Sequence, residues 1–318
     1  MHNQVERGFT MITTVVGSYP VLPRRNLKDL LLGKFDPYKN AIEQAVLDQI
    51  SAGIDWISDG QVRADMIRIF AEKIEGINEN LEVTSEIFPP SSPITVKDLI
   101  FTRKIIERKN SKARVKGIIT GPSTMAHSLN VEKSPYKNRI EDLVMDLAIV
   151  MRYEAKKLEQ NKAVALQIDE PVFSTGTVDL TLGIEAVEFI AKHLNIPVLL
   201  HVCGDVRDVF LDLLEVKYID YLDLEFGGNP GNLDLLEVDE IRRSDKKIGF
   251  GCVDTKTSSV EDVNFIFDLI NYAVSRLGNE NIIIDPDCGM RLLPRDVAFK
   301  KLRNMVSAKK LLANKKGG

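Results

Sequence analysis

Residues 197–204, Pro-Val-Leu-Leu-His-Val-Cys-Gly, decide the predicted fold, because a short apolar run leads directly into chemically active side chains. Seven other apolar runs along the chain are also rich in β-branched residues. They cover residues 12–16, 54–58, 115–119, 163–168, 218–226, 247–252 and 281–285. Short, continuous apolar runs are typical of parallel strands that are buried on both faces.

Stretches with the apolar spacing of amphipathic helices lie between the runs. The clearest cover residues 38–52, 136–160, 259–277 and 295–312. This alternation predicts an α/β protein with a parallel sheet, and eight units fit a (β/α)8 TIM barrel better than an open sheet. No Gly-x-Gly-x-x-Gly motif opens a helix after the first run, which disfavours a dinucleotide-binding fold.

The predicted domain organisation follows from the length of the chain and from the position of its proline-rich segment. All 318 residues are predicted to form a single barrel domain with its core at about 11–312 and a tail at 313–318. The Pro-Pro-Ser-Ser-Pro sequence at 89–93 predicts a long excursion after the second unit.

Composition excludes several classes of protein. The chain has 42 Lys and Arg against 46 Asp and Glu, so its net charge of −4 argues against nucleic-acid binding. Three cysteines cannot form a disulfide framework, and Cys252, after Gly-Phe-Gly, is expected to pack in the core. No signal peptide and no apolar run of about 20 residues are present, so we expect a cytoplasmic protein without a membrane segment.

The ends of the later apolar runs contain side chains that suit a metal site. His201 and Cys203 lie two residues apart in a predicted strand, and therefore on one face. Glu225 ends the next run, and Cys288 follows the last one. Strand ends of a barrel meet at one rim, where this set would suit four-coordinate Zn²⁺. Packed core residues, a salt-bridged Glu225 and a loop thiol are the alternatives.

Six motifs, in order, resemble the catalytic barrel of the cobalamin-independent methionine synthase family. They are residues 13–20 (Thr-Thr-Val-Val-Gly-Ser-Tyr-Pro), 119–122 (Ile-Thr-Gly-Pro), 167–171 (Gln-Ile-Asp-Glu-Pro), 201–203 (His-Val-Cys), Glu225 and 285–289 (Asp-Pro-Asp-Cys-Gly). The motifs extend over nearly the whole chain, from about residue 12 to about 311. The chain resembles a short, single-barrel form of the C-terminal catalytic domain, without the extra N-terminal barrel of the long members.

The resemblance implies a catalytic barrel and a Zn²⁺ cofactor held by His201, Cys203, Glu225 and Cys288. The implied reaction is methyl transfer to the thiol of L-homocysteine, which gives methionine. A free thiol has a pKa of about 8.5 and is mostly protonated at neutral pH, whereas a metal-bound thiol is deprotonated. No catalytic group beyond this activation of the substrate thiol is expected.

The resemblance also implies contacts to the amino acid part of the substrate. Val16, Gly17 and Ser18 match the segment that holds its carboxylate, and Asp169 matches a carboxylate that binds its ammonium group. Gln61 occupies the position of a family glutamate that helps to hold the ammonium, and it carries no charge.

Other departures from the family concern the methyl donor. Ser128 matches the place of a tryptophan that stacks on folate, and Lys256 matches a histidine assigned to proton transfer. Lys256 and His127 are secondary candidates for that proton transfer. Because a tertiary amine needs proton help to leave, the sequence predicts a methylcobalamin-type donor, on a methyl-corrinoid or corrinoid protein, rather than methyl-folate.

Three alternatives remain open from the sequence, the last of which is a structural barrel without metal. Uroporphyrinogen decarboxylase-like enzymes that methylate coenzyme M also have a His-x-Cys at a strand end, although their first and last motifs differ. A zinc-binding paralogue without catalysis is the second alternative, because Gln61 and Thr175 replace family acids. The oligomeric state is not predicted.

Overall fold

The computed structural model describes residues 11–23 and 36–316, with side chains up to residue 314. The strands of the described part are β1 (Ile12–Thr13), β2 (Trp56–Ile57), β3 (Arg114–Val115), β4 (Gly117–Thr120), β5 (Leu166–Asp169), β6 (Val198–Val202), β7 (Tyr221–Glu225), β8 (Lys247–Gly251) and β9 (Ile282–Asp285). All of the pairings between them are parallel. Only Lys116 separates β3 from β4, so these two short strands occupy one place in the sheet.

The sheet closes on itself. Seven strands pair in the order β1-β9-β8-β7-β6-β5-β4, and β2 pairs with β3. A parallel bridge between Thr14 and Trp56 joins the β1 side to β2. The result is a barrel of eight strand positions, which confirms the predicted α/β class and TIM barrel.

Helices surround the barrel and follow its strands. They are α1 (Lys39–Ala52), α2 (Arg68–Ala71), α3 (Val96–Arg108), α4 (Pro122–Ser128), α5 (Ile140–Gln160), α6 (Leu180–Ala191), α7 (Phe210–Leu214), α8 (Asp239–Arg243), α9 (Val263–Leu277) and α10 (Arg295–Lys316). Local sequence explains several of their ends. Gly53 ends α1 in the left-handed region at φ +90°. Asp179 and Asp262 cap α6 and α9 with side chains that accept backbone N–H groups.

The barrel interior has two layers of different polarity. A small apolar cluster lies apart from the main core. It consists of Trp56, Val164, Ala165, Leu199, Tyr221 and Ile283. Two residues further along their strands, on the same faces, come the buried polar side chains of Gln167, His201, Asp223 and Asp285. This polar layer lies towards the carboxyl ends of the strands, the end at which TIM barrels have their functional sites.

The place of the irregular segment differs from the prediction. Residues 72–95 contain no helix and only isolated bridges, and they lie between α2 and α3. The irregular segment around 89–93 therefore precedes the long helix of the second unit rather than following that unit. Helix α10 continues to Lys316, and residues 317–318 of the predicted tail lie outside the described residues. The single-domain assignment and its core boundaries stay predictions. Within the described ranges, no helix has the length and apolarity needed to cross a bilayer.

Candidate metal and substrate site

Three of the four predicted metal ligands lie together at the carboxyl ends of the strands. His201 belongs to β6, Cys203 follows β6, and Cys288 follows β9. One potential ligand atom from each lies within 4.8 Å of the other two. His201 is only 2% exposed, and neither of its ring nitrogens has a hydrogen-bond partner. A buried imidazole without a hydrogen bond, beside two free thiols, suits a borderline cation such as Zn²⁺.

The thiols and the imidazole interact strongly with their neighbours. A hydrogen bond between the two thiols lowers the pKa of Cys203, and the same bond is the main cause of a raised pKa at Cys288. Burial lowers the pKa of His201, but the charge of Asp223 raises it, and the result lies well above the ordinary value. Asp223 Oδ2 is 3.4 Å from His201 Nδ1. This carboxylate is therefore placed to orient the ring, as partners of metal-bound histidines do.

Glu225, the fourth predicted ligand, is not part of the three-residue group. It ends β7 with a side chain that is 1% exposed, and its Oε2 lies 2.7 Å from Nζ of Lys256. Lys256 belongs to the loop after β8, and its side chain is 59% exposed. The structure thus shows Glu225 in the salt bridge that was the alternative explanation for this carboxylate.

A cavity of about 260 Å³ opens beside the metal group. Its lining includes Val16, Ser18, Gln61 and Asp169, all predicted to contact the substrate, together with the three clustered ligands. The remaining lining residues are Ala64, Asp65, Met66, Pro171, Gly289, Arg291 and Leu292. Four of the five predicted amino acid contacts therefore share one cavity with the metal group, and Gly17 is not among its lining residues.

Close packing explains why the first motif contains Gly17. A Cβ atom at this position would lie 2.6 Å from Oε1 of Gln61, so any other residue would displace that side chain. Gln61 has a φ of +43°, and its backbone N–H donates to Asp59 Oδ1 at 2.8 Å. Ser58 Oγ donates to the carbonyl of Gly17 at 2.6 Å. These bonds fix the end of β2 against the loop after β1.

Asp169 is a buried carboxylate at the end of β5. It is 5% exposed, and burial raises its pKa to about 6, although His201 and a hydrogen bond from Gln167 act in the opposite direction. Gln167 Nε2 donates to Asp169 Oδ1 at 2.5 Å. A carboxylate held in this way suits an ammonium group, which would compensate the buried charge.

Two other predicted residues lie away from the cavity lining. His127 is exposed near the end of α4, next to the exposed Ser128. Cys252 is fully buried within the main hydrophobic core, as expected. Asp223 was not identified from the sequence as a functional residue. A signal was available, because Asp223 precedes Glu225 by two positions in an apolar strand and therefore lies on the same face of that strand.

The sequence profile of one protein family, described as "Cobalamin-independent synthase, Catalytic domain", matches residues 11–311. The chain belongs to this family. Its members include methyltransferases named methionine synthase. The chain is 49% identical over 308 residues to the methionine synthase of Methanothermobacter thermautotrophicus, covering 94% of this chain and 99% of that protein. It is 44% identical over 315 residues to the methionine synthase of Methanocaldococcus jannaschii, covering 95% and 99%.

Solved structures of low sequence identity share the fold of this family member. A B12-independent methionine synthase from Shewanella sp. W3-18-1, in complex with selenomethionine, has a TM-score of 0.83 at 22% identity and covers 96% of this chain and 99% of that one. A methyltransferase from Methanosarcina mazei has a TM-score of 0.67 at 15% identity, covering 95% and 94%. Both likenesses support the barrel architecture.

Proposed function

We propose that this family member is a zinc-dependent methyltransferase that converts L-homocysteine to methionine on a single catalytic barrel. The observation that carries the proposal is the buried imidazole of His201, whose ring nitrogens make no hydrogen bond, beside Cys203 and Cys288, at one side of the cavity that also contains Asp169. Relatives that match over nearly their whole length are named methionine synthase.

The residues of the cavity have separate tasks in this reaction. His201, Cys203 and Cys288 would hold zinc, and a bound zinc ion supplies the charge that keeps a thiol deprotonated and nucleophilic at neutral pH. Asp169 binds the ammonium group of homocysteine. The segment with Val16, Gly17 and Ser18 holds its carboxylate, and Gln61 contributes an uncharged hydrogen-bonding group. Two reduced cysteines in the site agree with the predicted cytoplasmic location.

Glu225 completes the proposed ligand set. It faces the same end of the barrel from the neighbouring strand β7. In the structure it accepts a hydrogen bond from Lys256, so ligation requires the ammonium group to leave this carboxylate. Lys256 is free to do so because most of its side chain is exposed. The resulting site would have two thiolates and one carboxylate, and a net charge of −1.

The methyl donor is the part of the proposal on which family and residues disagree. The family description, cobalamin-independent, favours a folate donor and argues against a corrinoid. Ser128 and Lys256, however, replace the tryptophan and histidine expected for folate chemistry, and His127 is exposed outside the cavity lining. We therefore propose methylcobalamin, delivered by a corrinoid protein, because cob(I)alamin leaves without protonation.

A parallel assay tests both the acceptor and the donor. The purified zinc-loaded protein is incubated with homocysteine or coenzyme M as the acceptor and with methylcobalamin or methyl-folate as the donor. Methionine and methylated coenzyme M are measured, and Cys203→Ser is the inactive control. Methionine from methylcobalamin supports the full proposal. Methionine from methyl-folate alone overturns the donor and leaves the acceptor intact. Methylation of coenzyme M in preference to homocysteine, or no methionine from either donor, overturns the proposed function.

A further inference from the structure

The polar layer inside the barrel contains a lysine that the proposed reaction does not use. Lys116 lies between β3 and β4 and is 2% exposed. Its Nζ donates a hydrogen bond to Oε1 of Gln167, which is fully buried on β5. A buried lysine is costly, so its presence in this layer calls for a specific partner.

Gln167 connects this lysine to the proposed substrate contacts. Its Nε2 donates to the backbone carbonyl of Val16 at 2.7 Å and to Asp169 Oδ1 at 2.5 Å. Val16 and Asp169 both line the cavity. One carboxamide therefore joins the loop after β1 to the end of β5, and it does so from beneath the cavity.

The chemistry of the lysine decides which way the carboxamide points. An ammonium group only donates hydrogen bonds, so of the two ends of the Gln167 carboxamide only the oxygen can face Lys116. A flipped amide would turn its NH₂ group towards Lys116 and its oxygen towards two acceptors, the carbonyl of Val16 and the carboxylate of Asp169. Both ends of the flipped amide would then be unsatisfied in a buried place, which is strongly unfavourable.

We propose that Lys116, acting through Gln167, is a positioning residue that holds the Asp169 carboxylate in place for the ammonium group of the substrate, with the Val16 carbonyl as the second anchor of the carboxamide. The lysine thereby sets the preference of the site for thiols that carry an α-amino group. This inference rests on the proposed function, in which Asp169 binds the ammonium group of homocysteine.

A matched pair of thiols tests the inference. Homocysteine and 4-mercaptobutanoate have the same thiol, chain length and carboxylate, but only homocysteine has an amino group. Their dissociation constants are measured by calorimetry on the zinc-loaded wild type and on Lys116→Met. We expect the variant to bind homocysteine at least tenfold more weakly and 4-mercaptobutanoate with unchanged affinity. In steady-state assays, the KM for homocysteine should rise while kcat stays within about twofold.

Two further variants separate positioning from folding. Gln167→Met removes the connection and keeps the lysine, and it should lose the same selectivity, which keeps the test informative if Lys116→Met fails to fold. Lys301→Met removes a different fully buried lysine, paired with Glu261 on the outer side of the barrel, and should lower stability without changing selectivity. Zinc content is measured for every variant, since a loss of metal would weaken both thiols alike.

The possible outcomes separate a failure of the positioning role of Lys116 from a failure of the proposed function. A wild type that prefers homocysteine, together with Lys116→Met and Gln167→Met that keep this preference, overturns the positioning role and leaves the proposed function intact. A wild type without any preference for homocysteine contradicts the proposed function, and the inference with it. Equal weakening of both thiols in the two variants indicates a structural role only and also overturns the inference.

Discussion

The ion pair between Lys256 and Glu225 leads to a prediction about metal affinity. Nζ of Lys256 lies 2.7 Å from Oε2 of Glu225. If Glu225 is the fourth ligand, the ammonium group and the zinc ion compete for one carboxylate. The substitution Lys256→Met removes the competitor while keeping much of the side-chain length. Zinc should therefore bind more tightly to the variant than to the wild type.

The size of the effect follows from the burial of the two partners. Glu225 is 1% exposed, but the Lys256 side chain is 59% exposed, so water screens the pair substantially. A pair of this kind contributes about 1 kcal/mol. Losing it should destabilise the metal-free protein by that amount and tighten the dissociation constant for zinc about fivefold. The zinc-bound protein should keep its stability, because Glu225 then has the metal as its partner.

Competition with a chromophoric chelator measures the zinc dissociation constants directly. Lys300→Met is the matched control, because Lys300 forms an exposed pair with Asp296 on α10 and should not affect zinc. Denaturant unfolding of the metal-free proteins supplies the stability difference. A variant that is less stable without metal but binds zinc with unchanged affinity would refute the reasoning, because Glu225 would then not be a ligand.

Three further substitutions test packing and ion pairs elsewhere. Gly17→Ala should displace Gln61 and raise the KM for homocysteine, with an overpacking cost of about 1–3 kcal/mol, while zinc content stays at the wild-type value. Asp55→Asn should lower the free energy of unfolding by about 1 kcal/mol at neutral pH, because Asp55 accepts bonds from β1 and α10. Lys301→Met should lower the free energy of unfolding by about 3 kcal/mol, because it leaves the largely buried carboxylate of Glu261 without its ion-pair partner.

The pH dependence of the Asp55 prediction has a definite sign. Burial raises the pKa of Asp55, but hydrogen bonds from Lys309 and Thr13 outweigh it, and the folded value lies below the ordinary one. The stabilisation is therefore present above the unfolded pKa of about 3.9 and is lost as pH falls through the lower folded value. Denaturant unfolding at pH 7 and pH 3 should show the difference between Asp55→Asn and wild type shrinking in acid; a growing difference contradicts this sign.

Separate outcomes would contradict the two other predictions. An unchanged KM in Gly17→Ala would mean that the position of Gln61 has no role in substrate binding. For Lys301→Met, the double variant Lys301→Met/Glu261→Gln is the comparison. If the double variant loses as much free energy of unfolding as the single variant, the uncompensated carboxylate of Glu261 is not the cause. Both stability measurements use denaturant unfolding of metal-free protein.

Much of the barrel was predictable, because its strands are continuous apolar runs separated by long amphipathic helices. The predicted third strand at 115–119 is nevertheless divided in the structure, with Lys116 between β3, which pairs with β2, and β4, which pairs with β5. An apolar pattern indicates a strand but does not specify where its hydrogen bonds change partner. The position of the irregular segment before α3 was also not predicted, because a proline-rich pattern indicates a loop but does not specify on which side of a helix it lies.

The candidate site was predictable where strand geometry alone determines which side chains come together. Period two places His201 and Cys203 on one face, and the barrel rim brings Cys288 to them. The salt bridge of Glu225 depends on the path of an exposed loop, which no local pattern encodes. Lys116 and Gln167 were missed because their roles depend on hydrogen bonds between strands, although a lysine within an apolar strand is itself an unusual signal.

Zinc X-ray absorption of the purified protein, with and without homocysteine, tests the central claim most directly, because that claim is thiol binding at this metal. The account predicts about one zinc per chain with two sulfur ligands, rising to three sulfur ligands when homocysteine is added. Both states should be lost in Cys203→Ser. A zinc environment that stays the same with homocysteine, or a folded protein that binds no zinc, would contradict the account.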